Sequence, residues 1–437
     1  MKLKKILKRV VLIISILLFL FWGILKYREY QSYKNTIPAN ADLIVKISTD
    51  NILSTIAWNA IKNPLYYLSR SKKKDAIKKT KRGFQIPANF FAFNLKGDKN
   101  TFYTILKLKD SSNFRKFVQK KIGDSELSKT ENFASVSALN NKLTIIFNDK
   151  KAVVAYQLNN KNSMLSIEKL LTDFTQIDDK EKLSDLKKIK SHISIFKDLE
   201  NHVDLNFNDG KINLQGEIYN NFLQITDDMK MATKSDSSYL YFSMLGKPLK
   251  NDFGNITLKN FSFPIDSILK NYSGSTTLQL SGTTKQSDTI ITYEYDDDFE
   301  KVEVKSVEEK NVPSINIILS GKTLTLKRLF EQHQIITDNK LNNKIFPLYQ
   351  LNFKTDSNIV EFSNLPLSKH NYINTEHFAE LSIYFSNLLN HNNLSISYLQ
   401  KLNDLKIKAY NKKEKIVVNG TLALKNTSLN SLIYLLD

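Results

Sequence analysis

Between Val10 and Leu25 no side chain carries a charge, and nearly all are apolar. With Ile6, Leu7 and Tyr27 at its flanks, the run supplies about 22 helical residues, enough to cross ~30 Å of hydrocarbon at about 1.5 Å per residue. Lys8, Arg9 and Lys26 would snorkel to the interface. Trp22, Tyr27, Tyr30 and Tyr33 stand where an aromatic belt is expected. The expected anchor is therefore carried by Val10, Leu12, Ile16, Leu20, Trp22 and Leu25 within a span of 10–27.

Positive charge sets its direction. Lys2, Lys4, Lys5, Lys8 and Arg9 precede the run, whereas Lys26, Arg28 and Lys34 follow it, interrupted by Glu29. That bias places residues 1–9 in the cytoplasm, 28–36 in a polar stalk and the rest outside. The expected location is single-pass in the inner (cytoplasmic) membrane, with a periplasmic or extracytoplasmic domain. A cleaved secretory signal is the alternative, with Ala39-Asn40-Ala41 as a small-x-small site. That site lies too far beyond the apolar run for a usual signal. The chain has no cysteine, which excludes lipidation at that residue, disulfides, thiolate zinc sites and a cysteine nucleophile.

Length and charge bound the remainder. With 437 residues, 41% of them hydrophobic, the exported part can bury a core and is expected to form two domains. The net charge of +19 is uneven. Residues 1–34 carry eight Lys/Arg and one Glu, and Arg70–Arg82 carries eight Lys/Arg and Asp75. The rest is nearly balanced, so a nucleic-acid partner is not expected.

Periodicity reads as α+β: antiparallel sheets with covering helices. Alternation marks strands at 41–48, 90–95, 101–108, 133–139, 142–147 and 152–157. Asp50 is placed to cap a helix through Lys62 with Ile52, Leu53, Ile56, Ala57, Ala60 and Ile61 on one face. Further helices are expected around 113–122, 167–177, 181–197, 264–271, 324–333, 376–389 and 428–436. Asn208-Asp209-Gly210 predicts a tight turn between strands at 203–207 and 211–219. Later strands are expected at 239–244, 276–281, 289–295, 302–307, 315–319, 349–354, 358–362, 405–410 and 415–424.

Two stretches echo each other. Residues 192–207 leading into 211–218 resemble 394–410 leading into 415–422, each final strand containing a glycine, Gly216 or Gly420. A weaker echo links Asn94–Gly97 and the strand after it to Leu280–Gly282 and the strand after it. These matches predict an internal duplication, with similar halves at 37–232 and 233–437. The competing explanation is the general likeness of antiparallel hairpins.

The segment Ile37–Ser48 (IPANADLIVKIS), just after an anchor, resembles the start of the exported part of single-anchored envelope proteins of Bacteroidota-type bacteria. The ending Gly420–Ile433 is similar to their C-terminal strand and helix. The likeness covers the two ends of the chain. Those proteins have no established activity, so it implies architecture and location alone.

Chemistry is sparse. No P-loop, dinucleotide fingerprint, His-Glu-x-x-His or Gly-x-Ser-x-Gly motif occurs. His370, Glu376, His377 and Glu380 come nearest to a cluster, and on a helix His377 and Glu380 would share a face. A solvated polar patch is the plainer reading. Asp296–Glu300 is an acidic turn lacking a calcium-loop pattern. No catalytic, cofactor or metal residue is therefore assigned. Arg70, Lys72, Lys73, Lys74, Lys78, Lys79, Lys81 and Arg82 follow the apolar Pro64–Leu68 and suit contact with an anionic surface; a solvated segment is the alternative. The function expected is a non-enzymatic envelope module that binds a protein, lipid or glycan. A carrier of lipid or apolar ligand, and a glycan hydrolase using Asp/Glu chemistry, are the alternatives.

Overall fold

A computed structural model describes the chain except residues 1, 35, 72–81, 123–127, 131, 160–163, 173–179, 227–228, 251, 259–260, 296–299, 366–370, 392–395 and 437. Chain contacts divide it into two units: Met1–Asp209 with Ser428–Tyr434, and Gly210–Thr427 with Leu435–Asp437. The sequence boundary at 232/233 thus falls inside the second unit.

In unit 1, helix α1 (Lys2–Tyr33) precedes β1 (Ala41–Ser48), α2 (Thr49–Lys62) and α3 (Pro64–Ser71). Then come β2 (Asn89–Leu95), β3 (Asp98–Lys107), α4 (Ser111–Ile122), β4 (Ser128–Lys129), β5 (Ala134–Ala138), β6 (Leu143–Phe147) and β7 (Lys151–Gln157). Helices α5 (Met164–Thr172) and α6 (Lys180–Lys188) lead to the hairpin β8 (Ile193–Asp198) and β9 (Asn201–Asn208). The sheet is antiparallel throughout, in the order β9-β8-β1-β2-β3-β7-β6-β5-β4. Alternation explains its core: Phe91, Phe93, Tyr103, Ile105, Ile146, Val153 and Phe196 all point to one buried cluster, which α5 and α6 close with Ile167, Leu170 and Leu186.

In unit 2 the strands are β10 (Lys211–Tyr219), β11 (Leu223–Ile225), β12 (Lys230–Ala232), β13 (Ser238–Pro248), β14 (Asn255–Leu258) and β15 (Phe261–Pro264). Helix α7 (Ile265–Asn271) leads into β16 (Tyr272–Tyr295) and β17 (Lys301–Gly321), followed by α8 (Thr323–Gln332). Next are β18 (Ile336–Thr337), β19 (Lys340–Leu341), β20 (Asn352–Asp356), β21 (Ile359–Ser363), β22 (Tyr372–Asn374) and β23 (Ala379–Tyr384). Helix α9 (Phe385–His391), β24 (Leu402–Lys412), β25 (Lys415–Leu424) and α10 (Ser431–Leu436) complete the chain. The antiparallel order is β10-β25-β24-β23-β13-β16-β17-β21-β20-β19-β18.

The path β8-β1-β2-β3-β7-β6-β5 has a counterpart in β23-β13-β16-β17-β21-β20-β19. A helix stands between the second and third strands of each path (α2 between β1 and β2; α7, after the small β14–β15 hairpin, between β13 and β16), and another follows the next hairpin (α4, α8). The strands that echo each other in sequence, β10 and β25, pair antiparallel with Leu214 opposite Gly420, Gly216 opposite Val418 and Gln215 opposite Asn419. That register has a local two-fold centred on the Gln215–Asn419 pair. The weaker sequence echo does not coincide: Asn94–Gly97 spans the end of β2 and the turn into β3, whereas Gly282 lies within β16.

Three further elements differ from expectation. The helix expected over 181–197 ends at Lys188, and Ile193–Asp198 form β8, paired with β1 and β9. Residues 376–389, predicted helical, form β23 and then the short α9, because Leu381 and Ile383 alternate into pairing with β13 and β24. Four predicted strands merge into the 24-residue β16 and the 21-residue β17. A register shift between Ser281 and Thr283, at Gly282 with φ +30°, lets the pairing continue where a break was expected.

Gly210 meets the turn signal as read, at φ +65°. A Cβ there would come within 2.6 Å of the Thr427 Cα. Gly210→Ala is therefore expected to cost about 1–3 kcal/mol, read as a lower urea midpoint. An unchanged midpoint would show that this turn relaxes freely.

Candidate functional site

The residues read as a stalk are helix, and they belong to the fold of unit 1. Arg28 forks onto Asp50 in the first turn of α2, with Nε to Oδ2 at 3.0 Å and Nη2 to Oδ1 at 2.9 Å. Its Nη2 also donates to the Ile86 carbonyl at 3.3 Å. Asp50, expected to cap α2, is instead the anchor point of α1. One residue on, Glu29 accepts from Lys26 at 2.8 Å and from Lys190 at 2.9 Å. Ser32 is buried and accepts from the Asn89 amide at 2.9 Å. The Tyr33 ring, 3% exposed, lies 5.1 Å from that of Phe91 in the main core.

The electrostatics of this root follow from geometry. The hydrogen bond from Arg28 to Asp50 outweighs the guanidinium's desolvation and raises its pKa further. Burial pushes the Glu29 carboxyl up, but Lys26 and Lys190 together hold it below its ordinary value. Burial, reinforced by Glu29, raises the Tyr33 phenol. Burial lowers Lys107, and Lys34 and Lys151 lower it further. The helix thus leaves the unit through a collar of cations. This arrangement can hold a helix rigidly and attract anions.

Under the collar lies Lys46, 2% exposed, on the core-facing side of β1. Its ammonium donates to the carbonyls of Leu186 at 3.0 Å and Ile189 at 2.7 Å, at the C-terminal end of α6. Burial and then Lys190 lower its pKa to about 8. The helix-terminal carbonyls explain why a cation is tolerated there. Sequence reading missed Lys46, although its position two residues from Ile44 and from Ser48 put it on the buried face.

The anchor residues are distributed as follows. Leu12, Ile16, Leu20 and Trp22 are exposed on α1 at 60%, 51%, 57% and 56%, and Leu25 is half-buried. The side chain of Val10 lies outside the described residues. The transmembrane span expected over 10–27 is corrected to this extent: among the described residues no helix is long and apolar enough to cross a membrane. Side chains of 1–11, Ile14 and Leu18 fall outside the described set, and the remainder of α1 runs on through Lys26, Arg28 and Glu29. Of the basic segment, Arg70 lies in α3 and Arg82 is exposed; Lys72, Lys73, Lys74, Lys78, Lys79 and Lys81 lie outside the described residues.

His377 and Glu380 do meet, His377 Nε2 to Glu380 Oε2 at 2.8 Å, although at the start of the interior strand β23 and not on a helix. His377 is buried, so the solvated-patch reading does not hold for it. The carboxylate also accepts from Ser382 at 3.1 Å and faces Lys408 at 3.7 Å. Burial raises Glu380, but His377 first, with Lys408 and Ser382, brings it below the ordinary range. The pair lines an open recess of about 420 Å³ with Lys234, Tyr241, Glu376 and Tyr410. His370 and Asp296–Phe299 lie outside the described residues. Among the described residues no group of three His, Cys, Asp or Glu could hold a metal. A larger open recess of about 660 Å³ in unit 2 has Asp338 as its one acid, beside Lys310, Lys340 and Lys344.

No family model and no curated protein matches the chain. Among solved structures, crystal form I of TP0453, a Treponema protein, is similar over 77% of this chain and 92% of its own, at 8% identity and a TM-score of 0.23. Crystal form III is similar over 75% and 90%, at 7% identity and the same TM-score of 0.23. At that score the likeness transfers no property.

Proposed function

We propose that this chain is a membrane-tethered binding module of the cell envelope, non-enzymatic, with its N-terminus inside and both units extracytoplasmic. The observation that carries the reading is the split character of α1. From Leu12 to Ile24 nine large apolar side chains are each more than half exposed, an apolar area that a chain in water does not leave uncovered. Within two turns the same helix becomes part of a folded unit through Arg28, Ser32 and Tyr33. Its charge bias supports the orientation. The partner is an envelope protein, lipid or glycan, and the Arg70–Arg82 block is assigned to anionic headgroups by its charge. The matching strand orders support an origin of the two halves by duplication.

Protease treatment of spheroplasts carrying the full chain tests the reading. Digestion of both units, leaving a membrane-held fragment of the first ~30 residues, is expected, with the chain resisting alkaline extraction. Full protection, or extraction into the wash, would overturn it.

A further inference from the structure

We propose that α2 and the start of α3 form a second, interfacial lipid contact, dipping into the outer face of the bilayer through Leu53, Trp58, Ile61 and Leu65. This rests on the tether reading above and adds to it a fixed docking face. Helix α2 buries only Ile52 and Asn59 among its own residues. Leu53, Trp58 and Ile61 are 56%, 58% and 70% exposed, and Leu65 and Tyr66 on α3 are 82% and 52% exposed. At about 100° per residue, Leu53, Ala57, Trp58 and Ile61 fall within an arc of roughly 140°, away from Ile52 and Asn59. The helix thus turns polar Asn59, with Ile52, toward the protein and Leu53, Ala57, Trp58 and Ile61 outward, on an arc shared with Ser54 and the Arg28-paired Asp50.

Two observations select a lipid surface as the occupant. The first is height. Arg28, the first residue after the apolar span, is bonded both to Asp50 in the first turn of α2 and to Ile86. The start of α2 is thereby held at the level where α1 leaves the hydrocarbon, and Ile86 is itself 39% exposed. The second is charge. From Thr49 to Ser71 the one acidic residue is Asp50, already paired with Arg28. Lys62 lies 5.4 Å from the Trp58 ring centroid, a cation and an indole side by side as an interface between anionic headgroups and acyl chains favours. Exposed Lys26 and Arg82 add to the same border in sequence.

Trp22 and Trp58 are the two tryptophans, so Trp22→Phe leaves Trp58 as the reporter in the full chain. The chain is reconstituted into vesicles of phosphatidylethanolamine and phosphatidylglycerol. Lipids brominated near the top of the acyl chain are expected to quench Trp58 about twofold, and Ile61→Asp with Leu65→Asp should remove most of that quenching while the circular dichroism stays unchanged. Vesicle flotation separates the two readings. Flotation with a Trp58 that only aqueous acrylamide quenches would overturn the docking face and spare the tether. Failure to float would overturn the tether. A blue shift that grows with protein concentration and ignores brominated lipid would assign the stripe to a second copy and overturn the lipid contact.

Discussion

A chain lacking residues 1–27 is expected to leave the membrane fraction and remain folded, whereas one lacking 1–36 is expected to lose the fold as well. The two cuts differ by nine residues, all of them within the part that reads as a stalk. Arg28 alone makes three hydrogen bonds into unit 1. Tyr33 sits in the main cluster with Phe91 and Phe93, and Ser32 satisfies the buried Asn89 amide. Removing a buried aromatic costs about 3–5 kcal/mol, against a total stability of roughly 5–15 kcal/mol for a typical domain. Losing the ion pair and orphaning Asn89 add to that. Fractionation followed by thermal melting distinguishes the outcomes. Equal melting temperatures for the two truncations would show that the root of α1 is peripheral to the fold.

Lys46→Ala is expected to destabilise unit 1 by ~2–4 kcal/mol, since it opens a cavity and strips the donors from two buried carbonyls. Lys46→Met fills the space and should cost less. The pH dependence is the more telling readout. Burial favours the neutral amine in the fold, so the unfolded chain holds that proton more tightly. Stability should therefore rise with pH from about 8 towards the ordinary lysine value of 10.5, with the penalty fully present below about 8. Urea midpoints of the wild type across the alkaline range should show that rise, and Lys46→Met should lack it. Parallel curves for the two would mean that another group titrates.

Much of the fold could be read from periodicity. The alternation of Ala41–Ser48, the 3.6-residue spacing of Thr49–Lys62 and the Asn208-Asp209-Gly210 turn each produced the expected element. What periodicity could not supply was which apolar face finds a partner. The apolar residues of α2 share one face in sequence, but tertiary packing buries Ile52 with Asn59 and leaves Leu53 and Ile61 outside. The segment around Glu380 has a helical spacing of His377, Leu381 and Phe385, but the open sheet edges beside it captured the chain as β23. The long hairpin, expected as four strands, stays continuous because a register shift at Gly282 absorbs the interruption. Of the candidate site, the root of α1 was not legible in the sequence. Arg28 and Asp50 lie far apart in sequence, and no local pattern announces their pairing.

The hairpin of β16 and β17 has one more implication. Past Ser281 and Ser314 its strands have, among the described residues, only each other as ladder partners, so no third strand covers the outer edges. Such edges invite neighbouring copies to zip on as extra strands. Here residues 283–313 hold nine acids against four lysines in a chain that is otherwise strongly basic. Lys285 and Lys310 are already occupied by Glu309 and Glu308. Two such edges brought together would align like charge with like charge. Acidity along the ribbon therefore opposes, by charge repulsion, the edge-to-edge pairing that its length would otherwise favour.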